Sequence, residues 1–274
     1  MDSSINIQSA FHSTTPRYDE LHGQVAVITG AAKGIGQGIA IRLAREGMRL
    51  VAVDIDAEAL AFTANALQDL GATVLSYQGD LSQAASIHQL FQLALGRMQT
   101  VDLLVNNAAD LQRSSLLEEH EGLLELQLTT NIRGPYLCSQ HAAAIMRAAG
   151  GGSIIHISSV GALRAHHRGL PYDVTKGAIN AMTRAMAVDL ARYQIRVNAV
   201  APGVTHTYRT KAQAGTAAYR TAADRIPLRR FGTVADISSM VAFLASTEAS
   251  YLTGQVIYVD GGITAQLSPP GQSL

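Results

Sequence analysis

Short runs of hydrophobic residues recur at regular intervals along the chain, and turn-forming residues bound each run. Most of these runs are apolar on both faces, as strands covered on two sides must be. They are Val25–Thr29, Leu50–Val53, Thr73–Tyr77, Val101–Val105, Ser153–Ile157, Arg196–Val200 and Gln255–Val259. The pattern predicts about seven strands in a sheet that is buried on both faces.

Longer segments rich in Ala, Leu and Gln separate the runs, and they have the character of helices. They are Ile35–Glu46, Glu58–Leu70, Ala84–Leu95, Leu123–Ala148, Val174–Arg192 and Val234–Ala245. Strand and helix alternate about six times, which implies parallel strands with helices on both faces of the sheet. We therefore predict an α/β fold consisting of a single doubly wound domain.

No linker, repeat or low-complexity tract divides the 274 residues. The sequence predicts a polar N-terminal arm over residues 1–22, a folded body over 23–265 and a short tail over 266–274. Within the body, residues 205–226 break the alternation of strand and helix. This stretch is expected to form a long loop.

Composition and charge exclude several classes of protein. Hydrophobic residues make up 47% of the chain and charged residues 15%, which excludes a mainly disordered protein. Lys and Arg (21) balance Asp and Glu (21), so the chain lacks the basic excess of a nucleic-acid or anionic-membrane binder. Only Lys33, Lys176 and Lys211 are lysines. One cysteine, Cys138, and no signal-like or membrane-spanning stretch favour a cytoplasmic protein.

The first predicted strand leads into a glycine-rich turn, Thr29-Gly30-Ala31-Ala32-Lys33-Gly34-Ile35-Gly36, and then into a helix. Glycines let the backbone turn tightly and approach a pyrophosphate, while the helix start offers unpaired N–H groups. An ordinary tight turn has the same glycines. The position between the first strand and the first helix favours a dinucleotide site.

Asp54 ends the second predicted strand, 18 residues beyond Gly36. A carboxylate at this place accepts hydrogen bonds from the adenosine ribose and repels a 2′-phosphate. Lys33 acts in the opposite sense, because a cation in the loop attracts that phosphate, but no Lys or Arg directly follows Asp54. The sequence therefore favours NAD over NADP. A helix cap is a second interpretation of Asp54.

Tyr172 and Lys176 stand four residues apart at the start of a predicted helix, so their side chains lie on one face. An adjacent ammonium stabilises a phenolate, which helps a tyrosine act as a base near neutral pH. Ser159 follows the strand Ser153–Ile157 and is expected at the carboxyl edge of the sheet, where ligands bind in such folds. Strand alternation predicts that Ser158 points away.

With these motifs the chain resembles the short-chain dehydrogenase/reductases, in the branch with a T-G-x(3)-G-x-G loop, over residues 23–262. The resemblance rests on Thr29–Gly36, Asp80-Leu81, Asn106-Asn107-Ala108-Ala109, Asn131, Ser159, Tyr172 with Lys176, Pro202-Gly203 and Val259-Asp260-Gly261-Gly262. Two positions depart from the usual pattern: Ala109 replaces glycine, and Thr205 replaces Ile or Val. The resemblance implies a Rossmann-type, NAD(P)-dependent oxidoreductase that acts on CH–OH groups.

The resemblance also implies a role for each residue of the site. Tyr172 exchanges the alcohol proton, and Lys176 lowers the pKa of Tyr172 and contacts the nicotinamide ribose. Ser159 orients the substrate oxygen, and Asn131 supports a proton-relay water. The implied cofactor-binding residues are Gly30, Lys33, Gly34, Ile35, Gly36, Asp54, Ile55, Asp80, Leu81, Asn107, Ala108, Ala109, Tyr172, Lys176, Pro202, Gly203, Thr205 and Thr207.

The loops that follow the strands near this site are polar and basic, whereas a sterol or a long acyl chain needs Leu, Met and Phe. We therefore predict a small polar or anionic substrate, such as a sugar, a sugar acid or a polyol, since arginine forms a fork that matches carboxylates. The candidate substrate residues are Ser159, Arg164, Arg168, Tyr172 and Tyr208, the last in the substrate loop 205–226. These arginines have a second interpretation, as solvated residues or subunit contacts.

Other functions remain open on the sequence. The runner-up is an NADPH-dependent carbonyl or 3-oxoacyl reductase, and the distant alternative is a non-catalytic dinucleotide sensor. No metal is expected, because His166 and His167 face different ways in regular structure and lack a completing ligand set. The resemblance implies a homotetramer assembled through the small-residue helices near Leu123–Ala148 and Val174–Arg192.

Overall fold

A computed structural model describes residues 16–118, 121–210 and 214–271. Its strands form one parallel sheet in the order β3-β2-β1-β4-β5-β6-β7. The strands are β1 Val25–Thr29, β2 Arg49–Asp54, β3 Val74–Gln78, β4 Leu103–Asn106, β5 Gly152–Ile157, β6 Ile195–Pro202 and β7 Val256–Val259. The predicted doubly wound sheet is confirmed, with its strand order reversing direction between β1 and β4.

Helices connect successive strands. In the described parts of the chain the α-helices are α1 Gly34–Arg45, α2 Ala57–Asp69, α3 Ala84–Met98, α4 Glu121–Leu128, α5 Gly134–Ala149, α6 Leu170–Leu190, α7 Ala217–Asp224 and α8 Val234–Ala245. None of these helices combines the length and the apolar character needed to cross a membrane.

Three helices differ from the sequence prediction for identifiable reasons. The single helix expected over Leu123–Ala148 is divided into α4 and α5 by a wider π-helical turn, Thr129–Arg133. Helix α6 begins earlier than expected because a proline in the first helical turn needs no hydrogen-bond donor. Helix α7 lies inside the stretch predicted to be a loop, where Thr216 caps it by accepting the N–H of Tyr219 at 3.1 Å.

Residues that alternate along each central strand supply the two faces of the core. Ala26 and Ile28 of β1 pack with α1 and α8, whereas Val25 and Val27 pack with α3, α5 and α6. Cys138 lies in the second of these clusters, fully buried among apolar side chains, as expected of a packing residue. Both faces of the sheet are therefore covered, and ligands reach the sheet at its strand ends.

Part of the predicted arm packs on this body. The backbone N–H groups of Arg17 and Tyr18 donate to Glu46 Oε2 at 2.8 and 3.1 Å. Glu46 also forms a buried ion pair with Arg42 at 2.7 Å, so the arm completes the partners of a buried carboxylate. Residues 1–15 of the arm, residues 272–274 of the tail, and Lys211 lie outside the described residues.

Candidate active site

The turn between β1 and α1 lies so close to the loop after β4 that side chains are excluded from it. Gly30 has a φ of +66°, and a Cβ there would lie 2.8 Å from Asn107 Nδ2. A Cβ at Gly36 would overlap the carbonyl oxygen of Gly30. Asn107 Nδ2 donates to the carbonyls of Thr29 and Gly30, both at 2.9 Å, and holds the turn in place.

This turn has the shape that a pyrophosphate needs. No side chain caps the N-terminus of α1, so the helix start keeps its dipole and its N–H groups for a ligand. Gly34 has a φ of +60°, and a Cβ there would meet only Thr207 and Tyr208, from 3.5 Å outward. The residues present therefore fit the dinucleotide that the sequence predicts.

Asp54 is fixed at the end of β2 by two backbone groups. Its Oδ2 accepts the N–H of Ala32 and its Oδ1 accepts the N–H of Asp56, both at 3.0 Å. The residue that caps α2 is Asp56, whose side chain accepts the N–H of Ala59 at 3.1 Å. The interpretation of Asp54 as the cap is therefore wrong, because α2 begins two residues later than that interpretation requires.

Lys33 is not a free cation. Its Nζ lies 2.6 Å from Asp56 Oδ2, and the ring of Tyr208 lies 5.9 Å away. The hydrogen bond with Asp56 raises the pKa of Lys33 and lowers the pKa of Asp56. The charge that a 2′-phosphate would seek is already balanced, although both partners remain accessible to solvent.

The other predicted cofactor residues lie along the carboxyl ends of the strands. Thr29 Oγ1 accepts the N–H groups of Asn107 and Ala108 at 2.9 and 3.1 Å, which joins the loops after β1 and β4. Asp80 turns the chain by accepting the N–H of Ser82 at 2.9 Å. Leu81 is buried in the core, whereas Ile55 is exposed.

At the end of β6, the loop that carries Thr205 and Thr207 runs beside the phosphate turn. Gly203 directly follows Pro202, and its N–H donates to Val259 at 3.0 Å. Thr205 Oγ1 donates to the carbonyl of Gly203 at 3.1 Å. The N–H of Thr207 donates to Thr210 Oγ1 at 2.9 Å, so this loop is ordered by its own threonines.

Ser159, Tyr172 and Lys176 come together between the end of β5 and the start of α6, and each is more than nine-tenths buried. Ser159 Oγ accepts the N–H of Gly161 at 3.0 Å. Lys176 Nζ lies 5.6 Å from the centre of the Tyr172 ring. Ser158 points away, as predicted, and donates to Asn180 Oδ1 at 2.6 Å.

Burial dominates the electrostatics of these residues. It raises the pKa of Tyr172, while a hydrogen bond to Ser159 and the positive charges of Arg113 and Arg209 act in the opposite direction. Burial also lowers the pKa of Lys176 to about 8. The net shift of the Tyr172 pKa is upward, because the loss of solvent around the phenol outweighs these opposing contributions. Lys176 Nζ donates to the carbonyl of Ile157 at 2.7 Å.

Asn131 holds the loop after β4 against α6. It lies in the π-helical turn, where Oδ1 accepts the N–H of Asp110 at 2.7 Å. Its Nδ2 donates to the carbonyl of Asp110 at 3.0 Å and to Thr175 Oγ1 at 3.1 Å. The widened turn thus directs a buried amide toward the residues around Tyr172.

A cavity of about 370 Å³ opens in front of the tyrosine, lined by Leu111, Gln112, Arg113, Tyr172 and Arg209. Arg113 comes from the loop after β4, and its guanidinium carbon lies 5.6 Å from the centre of the Tyr172 ring. Arg209 comes from the loop after β6. Both belong to the basic loops noted in the sequence, but nothing in the sequence distinguished them from the other arginines there.

The arginines singled out from the sequence have partners elsewhere. Arg164 donates to the carbonyl of Gln266 at 2.7 Å, and Arg168 forms an ion pair with Glu118. Tyr208 lies against Lys33 and Gly34, on the cofactor side of the cleft. Tyr172 alone among the candidate substrate residues lines the described cavity, with Ser159 behind it.

A histidine–carboxylate pair beside the tyrosine gave no signal in the sequence. His166 Nδ1 lies 2.7 Å from Asp173 Oδ1, and the N–H of His166 donates to Asp173 Oδ2 at 2.7 Å. The pair fastens the loop after Ser159 to the first turn of α6. Across the described ranges, no three residues of the types His, Cys, Asp and Glu cluster in a way that suits a metal ion.

Comparison with known proteins extends these observations. A family model described as enoyl-(acyl carrier protein) reductase matches residues 30–264. A probable short-chain type dehydrogenase/reductase of Bradyrhizobium diazoefficiens is 38% identical, over 89% of this chain and 89% of that protein. The 2-dehydro-3-deoxy-D-gluconate 5-dehydrogenase of Escherichia coli is 36% identical, over 90% of this chain and 97% of that protein.

Two solved structures resemble the fold closely. A 7α-hydroxysteroid dehydrogenase, complexed with NADH and 7-oxoglycochenodeoxycholic acid, is 32% identical with a TM-score of 0.84, covering 89% of this chain and 96% of that one. The L-sorbose reductase of Gluconobacter frateurii, complexed with NADPH and L-sorbose, is 28% identical with a TM-score of 0.85, covering 90% and 98%.

The fold, the phosphate turn and the Ser159, Tyr172 and Lys176 cluster agree with these comparisons over most of the chain. They also agree with the resemblance drawn from the sequence motifs. The chain belongs to the short-chain dehydrogenase/reductase family and is an NAD(P)-dependent oxidoreductase acting on CH–OH groups.

Proposed function

We propose that the protein is an NAD-dependent dehydrogenase that interconverts a secondary alcohol and a ketone, or a lactol and a lactone, on a small polar substrate. The proposal rests chiefly on one observation. Tyr172, backed by Ser159 and Lys176, lines a cavity whose other described walls are mostly polar or cationic. A sugar, a sugar acid or a polyol matches such walls better than a long apolar chain does.

The chain's own residues move the proton. Tyr172 takes the hydroxyl proton during oxidation and returns it during reduction, and Ser159 holds the substrate oxygen within reach. Lys176 supplies a positive charge behind the phenol, in a buried place where charges act strongly. When bound, the nicotinamide accepts or supplies the hydride. Asn131 keeps the loop after β4 at the distance from α6 that this arrangement needs.

The preference for NAD is supported by the charges around Asp54. Asp54 and Asp56 lie together at the end of β2. Within the described residues, Lys33 is the one cation that forms an ion pair with either of them. A 2′-phosphate would meet two carboxylates and a lysine that is already paired, which disfavours NADP. The solved relatives hold NADH in one case and NADPH in another, so family membership alone leaves the choice open.

The polar substrate class also has support from relatives. The Escherichia coli relative is named for a dehydrogenated sugar acid, and the Gluconobacter relative was solved with a sugar. The competing function is an NADPH-dependent carbonyl or 3-oxoacyl reductase, supported by a 35% identical relative from Thermotoga maritima that is named 3-oxoacyl-(acyl-carrier-protein) reductase. A non-catalytic dinucleotide sensor is the third candidate.

One set of assays separates these candidates. The protein is incubated with NAD or NADP and a panel of sugars, sugar acids, polyols and hydroxy acids, and cofactor reduction is followed at 340 nm. We expect reduction of NAD with at least one member of the panel. Faster turnover with NADPH and a 3-oxoacyl thioester would favour the reductase, and binding of NADH without any turnover would favour the sensor.

Two further properties stay proposals. We propose a homotetramer, supported by exposed apolar residues on α5 and α6, Tyr136 and Val188, along faces otherwise rich in small residues. Sedimentation velocity measures this state directly, and a monomer at micromolar concentration would contradict it.

We also propose a cytoplasmic location, which fractionation of cells that produce the protein would test.

A further inference from the structure

Two arginines line the cavity in front of Tyr172, and no described carboxylate pairs with either of them. In the described part of the chain, neither Arg113 nor Arg209 makes a hydrogen bond or an ion pair. By contrast, Arg164, Arg168 and Arg230 each have a hydrogen-bonded or charged partner. Two guanidinium groups without a hydrogen-bonded or charged partner therefore line one small cavity.

The described carboxylates near this cavity already have hydrogen-bonding or charged partners. The Asp110 carboxylate accepts the N–H of Gln112 at 3.0 Å, the Gln112 amide at 3.0 Å and the Gln127 amide at 2.8 Å. Asp173 is held by His166, and Glu118 is held by Arg168. None of these carboxylates forms an ion pair with Arg113 or Arg209, and both arginines line the cavity.

Both cations act at the reacting group. The guanidinium carbon of Arg113 lies 5.6 Å from the centre of the Tyr172 ring. The charges of Arg113 and Arg209 both oppose the rise in the pKa of Tyr172, so the field of each reaches the phenol. A guanidinium binds a carboxylate at about 2.8 Å and often through two parallel hydrogen bonds. A ligand held by these arginines thus has its anionic group only a few bonds from the atom that faces Tyr172.

We infer that Arg113 and Arg209 bind the carboxylate of a hydroxy-acid or sugar-acid substrate and present its secondary alcohol to Tyr172. The inference rests on the proposed function and narrows its substrate class from polar metabolites to carboxylic acids. It also transfers the carboxylate-binding role from Arg164 and Arg168, favoured by the sequence, to the two arginines that line the cavity.

The experiment compares acids with uncharged alcohols of the same carbon chain. The pairs are D-gluconate with D-sorbitol, D-lactate with 1,2-propanediol, and 3-hydroxybutyrate with 1,3-butanediol. Initial rates of NAD reduction are measured for the wild type, Arg113→Gln, Arg209→Gln and the double variant. Arg97→Gln is the matched control, because it removes one exposed arginine from the last turn of α3, at the opposite edge of the sheet.

We expect the wild type to prefer the acid of the best pair. Each single variant should lower kcat/KM for that acid by about 10- to 100-fold, mainly through KM, because a hydrogen bond to a charged group is lost. The same variants should lower kcat/KM for the neutral alcohol by a smaller factor, because both substrates lose the positive charge beside Tyr172 but only the acid loses a carboxylate contact. Arg113→Lys should recover part of the loss, because it restores the charge without the planar fork.

A second readout does not depend on turnover. In the presence of NADH, titration calorimetry with D-gluconate should show weaker binding to the double variant than to the wild type or to Arg97→Gln. Equal binding to all three proteins would overturn the inference. It would also be overturned if Arg164→Gln and Arg168→Gln raised KM for acids while the cavity variants did not.

The inference and the proposed function fail in different ways. If neutral alcohols reduce NAD as well as acids do, and the cavity variants leave this ratio unchanged, the inference is wrong and the function stands. If neither these pairs nor any member of the wider panel of sugars, sugar acids, polyols and hydroxy acids reduces NAD, the proposed function is wrong. Loss of gluconate binding in the double variant would then still support an anion site at these arginines.

Discussion

The carboxyl edge of the sheet has two sides that are built differently. On the cofactor side, backbone N–H groups donate to the side chains of Thr29 and Asp54 and so join the loops after β1, β2 and β4, and Lys33 is paired with Asp56. On the substrate side, the loops after β4 and β6 carry Arg113 and Arg209, whose side chains form no hydrogen bond or ion pair within the described residues. The cofactor side is held in place by its own hydrogen bonds, whereas the two arginines of the substrate side remain available to a ligand.

This contrast has a physical reason. A dinucleotide is recognised largely through backbone groups, which must be fixed in place before it binds, so Gly30 and Gly36 leave no space for side chains. A small polar metabolite offers few atoms, and it is recognised by charged side chains that the fold leaves unsatisfied. Tyr172 and Lys176 lie where the two sides meet.

The largest effect should follow from Tyr172→Phe, which removes the proton-exchanging hydroxyl at the boundary of the two sides. We expect kcat to fall by about 10²- to 10⁴-fold, the usual contribution of positioned acid–base catalysis. NADH binding, measured by fluorescence titration, should change by less than about threefold, since the cofactor side is intact. A variant that keeps near-wild-type turnover would contradict the role of Tyr172.

The next effect concerns stability and pH. The pKa of Lys176 is about 8 in the folded protein, against an ordinary value of 10.5. Between pH 8 and pH 10.5, Lys176 is therefore protonated in the unfolded chain and deprotonated in the folded chain. The free energy of unfolding should therefore rise with pH from about 8 to 10, by up to about 3 kcal/mol. Below pH 8, Lys176 is protonated in both the folded and the unfolded chain, so folding carries the full cost of burying its charge.

Lys176→Met isolates this contribution. Urea unfolding at pH 7, 8, 9 and 10 should show that the wild type gains stability relative to the variant across this range. The pKa of Tyr172 is raised, so its contribution runs in the opposite direction, but it enters only above its ordinary value of 10.0. If the difference in the free energy of unfolding between the two proteins does not change with pH, the pKa of Lys176 is not lowered by folding.

A smaller effect is expected at Asp54, which tests the cofactor side. Asp54→Asn removes the negative charge that a ribose diol needs, and NADH affinity should fall by about 10- to 100-fold. Asp56→Asn is the comparison variant, because asparagine still caps α2 but no longer neutralises Lys33. It should raise affinity for NADPH while NADH affinity stays within about threefold. Fluorescence titration with each cofactor measures both values.

The smallest effects should follow from Arg164→Ala and Arg168→Ala. Both side chains are already bound, to the carbonyl of Gln266 and to Glu118, and exposed pairs of this kind contribute about 0–1 kcal/mol. KM for acidic substrates should change by less than about threefold. A large rise in KM would favour the sequence-based assignment and would weaken the contrast between paired and unpaired arginines.

Much of the molecule was predictable from the order of residue types. Alternating hydrophobic runs and helical segments predicted the seven parallel strands, and Val234–Ala245 was predicted with its observed bounds. The division of the helix over Leu123–Ala148 was not predicted, because hydrophobic periodicity continues through the π-helical turn. Within this turn Asn131 contacts Asp110 and Thr175, which are distant in sequence and come near only in the folded chain.

The catalytic cluster also combines features that the sequence predicted with features that depend on the fold. Spacing alone placed Tyr172 and Lys176 on one helix face and Ser159 at a strand end. The upward shift of the Tyr172 pKa was not predicted, because burial depends on what the fold packs around the phenol. The pairing of His166 with Asp173 was likewise not predicted, since the six residues between them run from a loop into the first turn of α6 without a periodic pattern.

The three lysines, the glycine turn and the ordered motifs were thus determined by the sequence itself, because each depends on residue type and on short spacing along the chain. Which arginines stand free was decided only by the tertiary structure. Arg113, Arg164, Arg168 and Arg209 are equivalent as residues in basic loops. The fold gives Gln266 and Glu118 to two of them and places the other two beside Tyr172, because loops distant in sequence meet at one edge of a parallel sheet.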